Sequence, residues 1–350
     1  MKLVPTKVGP SPSRNASSAV AGLRLSPPYA GSIEASAGHA LRWFRRLAIS
    51  AVALAFALAV LGSWVRINGA GMTCPDWPLC NGKLIPAMGG GVALEWSHRF
   101  VAFIEGFVVF GLFVAGWNVR ARIAGLGPML AALGLAFLAQ VALGGATVQL
   151  ANSPLSVMLH WAAAMVLIAL LATLALFAVL APPPGSRFAP RSHALALGAA
   201  ALFGFVAMCI GSYVSSSFAG LACSTFPDCN GTLFGRNGAE LAQMLHRLFA
   251  GAFALAALVA LPVAFVRGSR LVRLFAGLGG ALLIVQIALG AANVAWLLPT
   301  ALREAHAANA SATFIAFVLA AGTAACEPAR ARLRSVPRKG ERTRRAARSA

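Results

Sequence analysis

Apolar residues come in long unbroken runs along this chain, separated by short polar or basic stretches. Eight runs reach helix-spanning length, at about 44–65, 96–118, 126–148, 156–181, 193–215, 241–266, 271–293 and 303–325. A helix of about 20 apolar residues crosses a hydrocarbon core of about 30 Å. The pattern predicts an all-α integral membrane protein with eight transmembrane helices. Composition agrees: 59% of the 350 residues are hydrophobic and mean hydropathy is +0.77, more apolar surface than a water-soluble globule hides.

The pattern also repeats. GSWVRINGAGMTCPDWPLCNG (62–82) returns as GSYVSSSFAGLACSTFPDCNG (211–231). Cys74 and Cys80 map onto Cys223 and Cys229 at an offset of 149 (223 − 74), His98 onto His246 at 148 (246 − 98), and His160 onto His306 at 146 (306 − 160). Each copy holds an even number of helices, so both copies enter the membrane in the same direction. The expectation is two tandem four-helix bundles, related by a pseudo-twofold axis along the membrane normal. They would occupy residues 41–186 and 187–326, joined through APPPGSRFAPR (181–191) and flanked by basic tails at 1–40 and 327–350. The first tail is transit-peptide-like in composition, but a disordered cytoplasmic tail is the simpler account.

A net charge of +20 would suit nucleic acid, but its distribution excludes that class. Lysine and arginine crowd the two tails and the loops holding Arg120/Arg122, Arg187/Arg191 and Arg267/Arg270/Arg273, while alternate loops carry few. The positive-inside rule then puts both termini in the cytoplasm and the cysteine loops outside. That describes a multi-pass protein of the bacterial inner membrane with periplasmic cysteine loops, in preference to the mitochondrial inner membrane. Trp64, Trp77, Trp96, Trp161 and Trp296 fall near the outer ends, as an interfacial belt would.

Four histidines, His98, His160, His246 and His306, fall in the first turns of the even-numbered helices and so at one depth. Two imidazoles per bundle, without a nearby thiolate or carboxylate cluster, make a poor zinc site. They make a good axial pair for haem, His98 with His160 and His246 with His306. Arg99 and Arg247 follow two of them, as propionate contacts or as simple interfacial side chains. His39 and His193 have no counterpart and read as solvated. QVALGGATV (140–148) recurs as QIALGAANV (286–294); its small residues and repeated glutamine suit either close helix packing or room for a flat cofactor.

The copies differ at one chemical position. Glu95 stands three residues before His98, where Gln243 stands before His246. A carboxylate can move protons and an amide cannot, so the first site is the expected reaction centre and the second a permanent electron-transfer site. Glu105, seven residues after His98, is matched by Phe253 and suggests a proton path. Cys74 with Cys80 and Cys223 with Cys229 sit where disulfides persist. They would clamp a tight lid over each bundle or exchange electrons with an external thiol. No C-x-x-C-H is present, so haem would be held non-covalently. Cys209 and Cys326 read as packing residues.

The run VRINGAGMTCPDWPLCNG, then EWSHR and His160, then CSTFPDC, LHR and His306 resembles the haem A synthase family over roughly residues 44–325. The resemblance implies oxidation of the C8 methyl of haem O to a formyl group, giving haem A for haem-copper oxidases. It implies haem O as substrate at His98 and His160, haem b at His246 and His306, Glu95 as the essential carboxylate, and Cys74–Cys80 as a disulfide. Membrane lipid, a haem O synthase and an electron donor are the implied partners, and a homo-oligomer is left open. Two other classes share some of these features: a quinol-linked di-haem b-type electron carrier and a membrane thiol-disulfide oxidoreductase. The first does not explain the difference between Glu95 and Gln243.

Overall fold

Inside a hydrocarbon slab every backbone N–H and C=O needs a partner, and a helix supplies all of them within one segment. The computed structural model describes residues 27–186 and 191–327, with the backbone alone for 27–37. Its long elements are α1 (Pro27–Ile67), α2 (Val92–Val119), α3 (Leu126–Gln149), α4 (Pro154–Leu180), α5 (Ser192–Ser216), α6 (Gly238–Arg267), α7 (Arg270–Ala295) and α8 (Thr300–Cys326). All eight are long and apolar enough to cross a membrane.

Seven helices begin and end within a few residues of the expected runs. The exception is α1, which starts at Pro27, well ahead of residue 44. Proline is tolerated in a first turn, and the alanine-rich stretch after it favours helix. The end of the expected disordered tail is therefore helical. Residues 1–26, Arg187 in the linker and the tail from 328 lie outside the described residues. Met1–His39 and Ala40–Ala350 form separate units, and the four paired histidines, the cysteine loops and the buried core all lie in the second.

Local chemistry sets the helix ends. Ser153 caps α4 by accepting from the Ser156 N–H, with Pro154 in the first turn. Asn237 caps α6 through the N–H groups of Ala239 and Glu240, and Ser269 caps α7 through Val272. Ala181, in the left-handed region at φ 42°, ends α4 ahead of three prolines.

In the second copy the helices close as a ring, α5 on α6, α6 on α7, α7 on α8 and α8 back on α5. Both α5 and α8 also pack against α4. One continuous core results, with Phe44, Leu112, Leu130, Met165, Leu171, Leu197 and Phe317 fully buried. Large apolar side chains face outward along other helices, including Phe103, Phe107 and Phe110 on α2 and Leu255, Leu258 and Val259 on α6. Such a surface needs lipid, not water, around it. Trp64, Trp77 and Trp296 are exposed toward the end of the molecule that carries the cysteine loops, whereas Trp161 packs against the core.

At the opposite end His193 departs from its solvated expectation. It is buried, and its Nε2 lies 3.2 Å from Glu327 Oε2. Glu327 also accepts from the Ser269 N–H at 2.7 Å and pairs with Arg191 at 3.5 Å. The chain leaving α8 is thereby tied to the starts of α5 and α7. A lone histidine at a helix start gave no sign of this, because its partner is 134 residues away.

Candidate functional site

The depth of the four histidines follows from where their helices begin. His98, His160 and His306 fall in the second turn of α2, α4 and α8, and His246 in the third turn of α6. Each is about 10 Å inside its helix start. His98 and His160 lie near enough for the charge of one ring to act on the other, and so do His246 and His306. His246 Nδ1 is 2.9 Å from the Ala207 carbonyl of α5. His98 and His160 have backbone carbonyls at the equivalent place, Leu58 and Gln140. Their Nδ1 atoms are nevertheless buried without a hydrogen bond of acceptable geometry.

These residues fit an axial haem pair. Among the described residues no group of three or more His, Cys, Asp or Glu side chains could hold a metal ion, which removes a multi-ligand zinc centre. What remains is one pair of neighbouring imidazoles in each half, set in apolar helices. At His306 the Gln286 amide nitrogen is 3.2 Å from Nε2, a contact that an iron ligand would replace.

The first half adds a carboxylate. Glu95 is buried, and its Oε2 accepts from the Cys74 N–H at 2.8 Å and the Thr73 hydroxyl at 3.0 Å. Its Oε1 accepts from Arg99 at 2.6 Å. Arg99 also donates to the carbonyls of Asp76 (2.6 Å), Leu79 (2.6 Å) and Cys74 (2.8 Å). Its donors are thus engaged by the cysteine loop, and a propionate contact, one of the two roles the sequence left open, would compete with these bonds. Arg247 repeats the grip on the carbonyls of Thr225 (2.7 Å), Asp228 (3.0 Å) and Cys223 (3.4 Å). Gln243 is buried beside it with its amide oxygen unpartnered.

Both cysteine pairs are disulfides, with Cα–Cα distances of 4.6 and 4.7 Å. Each loop turns back through Asn81–Gly82 or Asn230–Gly231, all at positive φ, a region that favours glycine and asparagine. Asp76 anchors the first turn by accepting from the Asn81 N–H (2.6 Å) and the Gly82 N–H (2.8 Å). Those bonds, led by the one from Gly82 and helped by the nearby Arg99, hold its carboxyl below the usual range. In the second loop Thr225 and Asp228 share that work. All four cysteines are buried, so their sulfurs are poor targets for an external thiolate. Trp77 lies over α3 at Gly145, where an added Cβ would sit 3.2 Å from the ring. Its counterpart Phe226 is 82% exposed, so the first lid is the more firmly seated.

Further asymmetries appear deeper in the bundles. Glu105 is 2% exposed with both carboxylate oxygens unpartnered, whereas Phe253 is an ordinary core residue. Gln286 is held by Asn309, whose side chain donates to its oxygen at 2.8 Å. The oxygen of Gln140 has no partner, and Ala163 stands where Asn309 would. Sequence reasoning missed Asn309, Thr73 and a cluster at the cysteine-loop end. In that cluster Arg66 donates to Ser215 at 2.6 Å and buried Glu304 lies nearby. A charged residue within an apolar run was the available signal for Arg66 and Glu304. Cys209 and Cys326 are free and half-buried, and Cys326 packs against the core.

Known proteins resemble this chain over most of the spanning region. A family model described as "COX15-CtaA: Cytochrome oxidase assembly protein" matches residues 45–89 and 91–318. A "Heme A synthase" of Bacillus licheniformis is 33% identical over 210 residues, covering 57% of this chain and 68% of that protein. One from Shouchella clausii is 31% identical over 67% of this chain and 81% of its own length. One from Geobacillus thermodenitrificans is 30% identical over 67% and 74%. With the match running from the middle of α1 to the middle of α8, the chain belongs to the COX15-CtaA family of cytochrome oxidase assembly proteins.

Proposed function

We propose that this chain is a haem A synthase, an oxidoreductase that converts the C8 methyl of haem O to a formyl group and so makes haem A for haem-copper oxidases. The observation that carries the reading is the difference between the halves: a buried carboxylate, Glu95, three residues before His98, against the neutral Gln243 before His246. The "Heme A synthase" relatives support the reaction class.

In this reading His98 and His160 hold the substrate haem O by its iron, and His246 and His306 hold a resident haem b. The resident haem supplies electron transfer when bound. Glu95, fixed by Arg99 and the Cys74 amide, takes up protons or stabilises charge as the methyl is oxidised. Glu105, buried and unpartnered about 15 Å further along α2 than Glu95, continues a proton path. The first disulfide loop, latched to α2 and resting on α3, shields that chemistry from water. The two sites also differ around the repeated glutamine: Gln286 is held by Asn309, whereas the oxygen of Gln140 has no partner.

The protein belongs, in this reading, in the bacterial inner membrane with both termini cytoplasmic and both disulfide loops periplasmic, receiving haem O from a haem O synthase and exchanging electrons with a membrane donor. A pure di-haem carrier would need no proton-handling group beside one of its haems, so for it Glu95 would serve only to hold the cysteine loop. The thiol-oxidoreductase alternative is disfavoured by the burial of all four cysteines. The test is Glu95→Gln expressed with a haem O source. Haem O or a hydroxylated intermediate should accumulate while the resident haem stays. Normal haem A output would remove Glu95 from the mechanism.

A further inference from the structure

Each histidine meets a glycine on the helix before its own. A Cβ added at Gly62 would lie 2.8 Å from His98 Cε1, and one at Gly211 would lie 2.8 Å from His246 Cε1. Added at Gly144 or Gly290, it would lie 3.2 Å from Cε1 of His160 or His306. The order of approach is the same at all four: Cε1 nearest, then Nδ1, with Nε2 farthest. The Cε1 corner of each ring therefore points at the glycine, with Nδ1 on the nearer side, most clearly at Gly211, where Nδ1 is 3.1 Å and Nε2 3.6 Å from the added Cβ.

A second observation repeats with the first. The carbonyl that faces each ring belongs to the residue four before the glycine: Leu58 before Gly62, Gln140 before Gly144, Ala207 before Gly211 and Gln286 before Gly290. At His246 this is a full hydrogen bond of 2.9 Å from Nδ1. Such a carbonyl already accepts the glycine's own N–H in the helix ladder and has a second lone pair free. An added methyl at Gly62 or Gly211, 2.8 Å from Cε1, would push the imidazole back from that carbonyl.

We propose that Gly62, Gly144, Gly211 and Gly290 are positioning residues that seat the four imidazoles. At His246 the seat directs Nδ1–H at the Ala207 carbonyl, which fixes the tautomer and the plane of the ring and leaves Nε2 for an iron; at the other three the glycine sets how closely the ring approaches the neighbouring helix. The inference deepens the ligand assignment above and rests on it. It also ranks the seats. Those of His98 and His246 are the tighter and tolerate alanine less than those of His160 and His306.

The test uses the full-length protein purified with its resident haem. Gly211→Ala should lower haem affinity about 10–100-fold, the range for loss of a metal ligand's outer-shell support. The haem that remains should show a shifted low-spin EPR signal and a shifted reduction potential, because the ring has turned. Gly290→Ala should show the same shifts more weakly. Gly198→Ala on α5, where an added Cβ meets nothing within 4 Å, should leave content, signal and potential unchanged. Unchanged values in both Gly211→Ala and Gly290→Ala would overturn the proposal, as would equal shifts in Gly198→Ala. Should Gly211→Ala fail to accumulate, the milder Gly290→Ala decides alone. His246→Ala separates the two readings. Retention of the low-spin haem there defeats the ligand assignment itself. Its loss there, with Gly211→Ala indistinguishable from wild type, defeats only the seat.

Discussion

Asp76 shows how one side chain can govern a site it does not enter. Its two backbone hydrogen bonds close the turn of the first disulfide loop. Its carboxyl sits below the ordinary 3.8, chiefly because Gly82 donates to it. A depressed folded value means that its contribution is fully present above the unfolded pKa and disappears as pH falls through the folded one. Amide exchange at Asn81 and Gly82 should therefore be slower in wild type than in Asp76→Ala at pH 6. That difference should vanish well below pH 4. A gap that persists there would show that the carboxylate charge is not what closes the turn. The difference between Glu95 and Gln243 was legible in the sequence, because duplication aligns them. The bond from Glu95 to the Cys74 amide was not, because it exists only once the loop folds back on α2.

The disulfide loops and the helices beneath them work as clasped elements. Arg99 and Arg247 each reach from α2 or α6 into three loop carbonyls, but only Arg99 also pairs with a buried carboxylate. Removing one partner of such a pair leaves an uncompensated charge and costs about 3–5 kcal/mol. Losing charged hydrogen bonds to carbonyls alone costs about 1.5–3 kcal/mol. Arg99→Ala should thus lower the thermal midpoint in detergent more than Arg247→Ala does. It should also speed reduction of Cys74–Cys80 by an added thiol, leaving Cys223–Cys229 as it was. Equal effects would mean that Glu95 adds nothing to the clasp. The arginines themselves were visible one residue after a histidine in each copy. Their partners were not, since the sequence-level choice lay between a propionate and open interface.

For the whole molecule, the two ends are held differently. The cysteine-loop end carries the histidines, the lids and the contact from Arg66 to Ser215. The opposite end is fastened by Glu327, which joins α5, α7 and the chain after α8. Burial raises the Glu327 carboxyl, but hydrogen bonds from Ser269 and His193 outweigh that and hold it below its usual value. Glu327→Ala should destabilise the bundle by about 1–3 kcal/mol at pH 7 and progressively less below pH 4, followed as a thermal midpoint in detergent. Haem content should hold, because this tie lies at the far end from the four histidines. Loss of haem at unchanged midpoint would contradict that separation.

Hydropathy and repetition alone determined the eight helices, the duplication, the four histidines at one depth and the cysteine pairs. Those features are periodic, and in the absence of water an apolar run of about 20 residues satisfies its own backbone as a helix. Tertiary packing alone decided what the polar side chains do. Gly62 and Gly211 became seats for imidazoles, Arg99 a clasp instead of a surface charge, His193 a buried tie and Glu105 an acid without a partner. Each of these depends on which residue of a distant helix stands opposite, and a pattern read along one strand of chain contains no distances across the bundle.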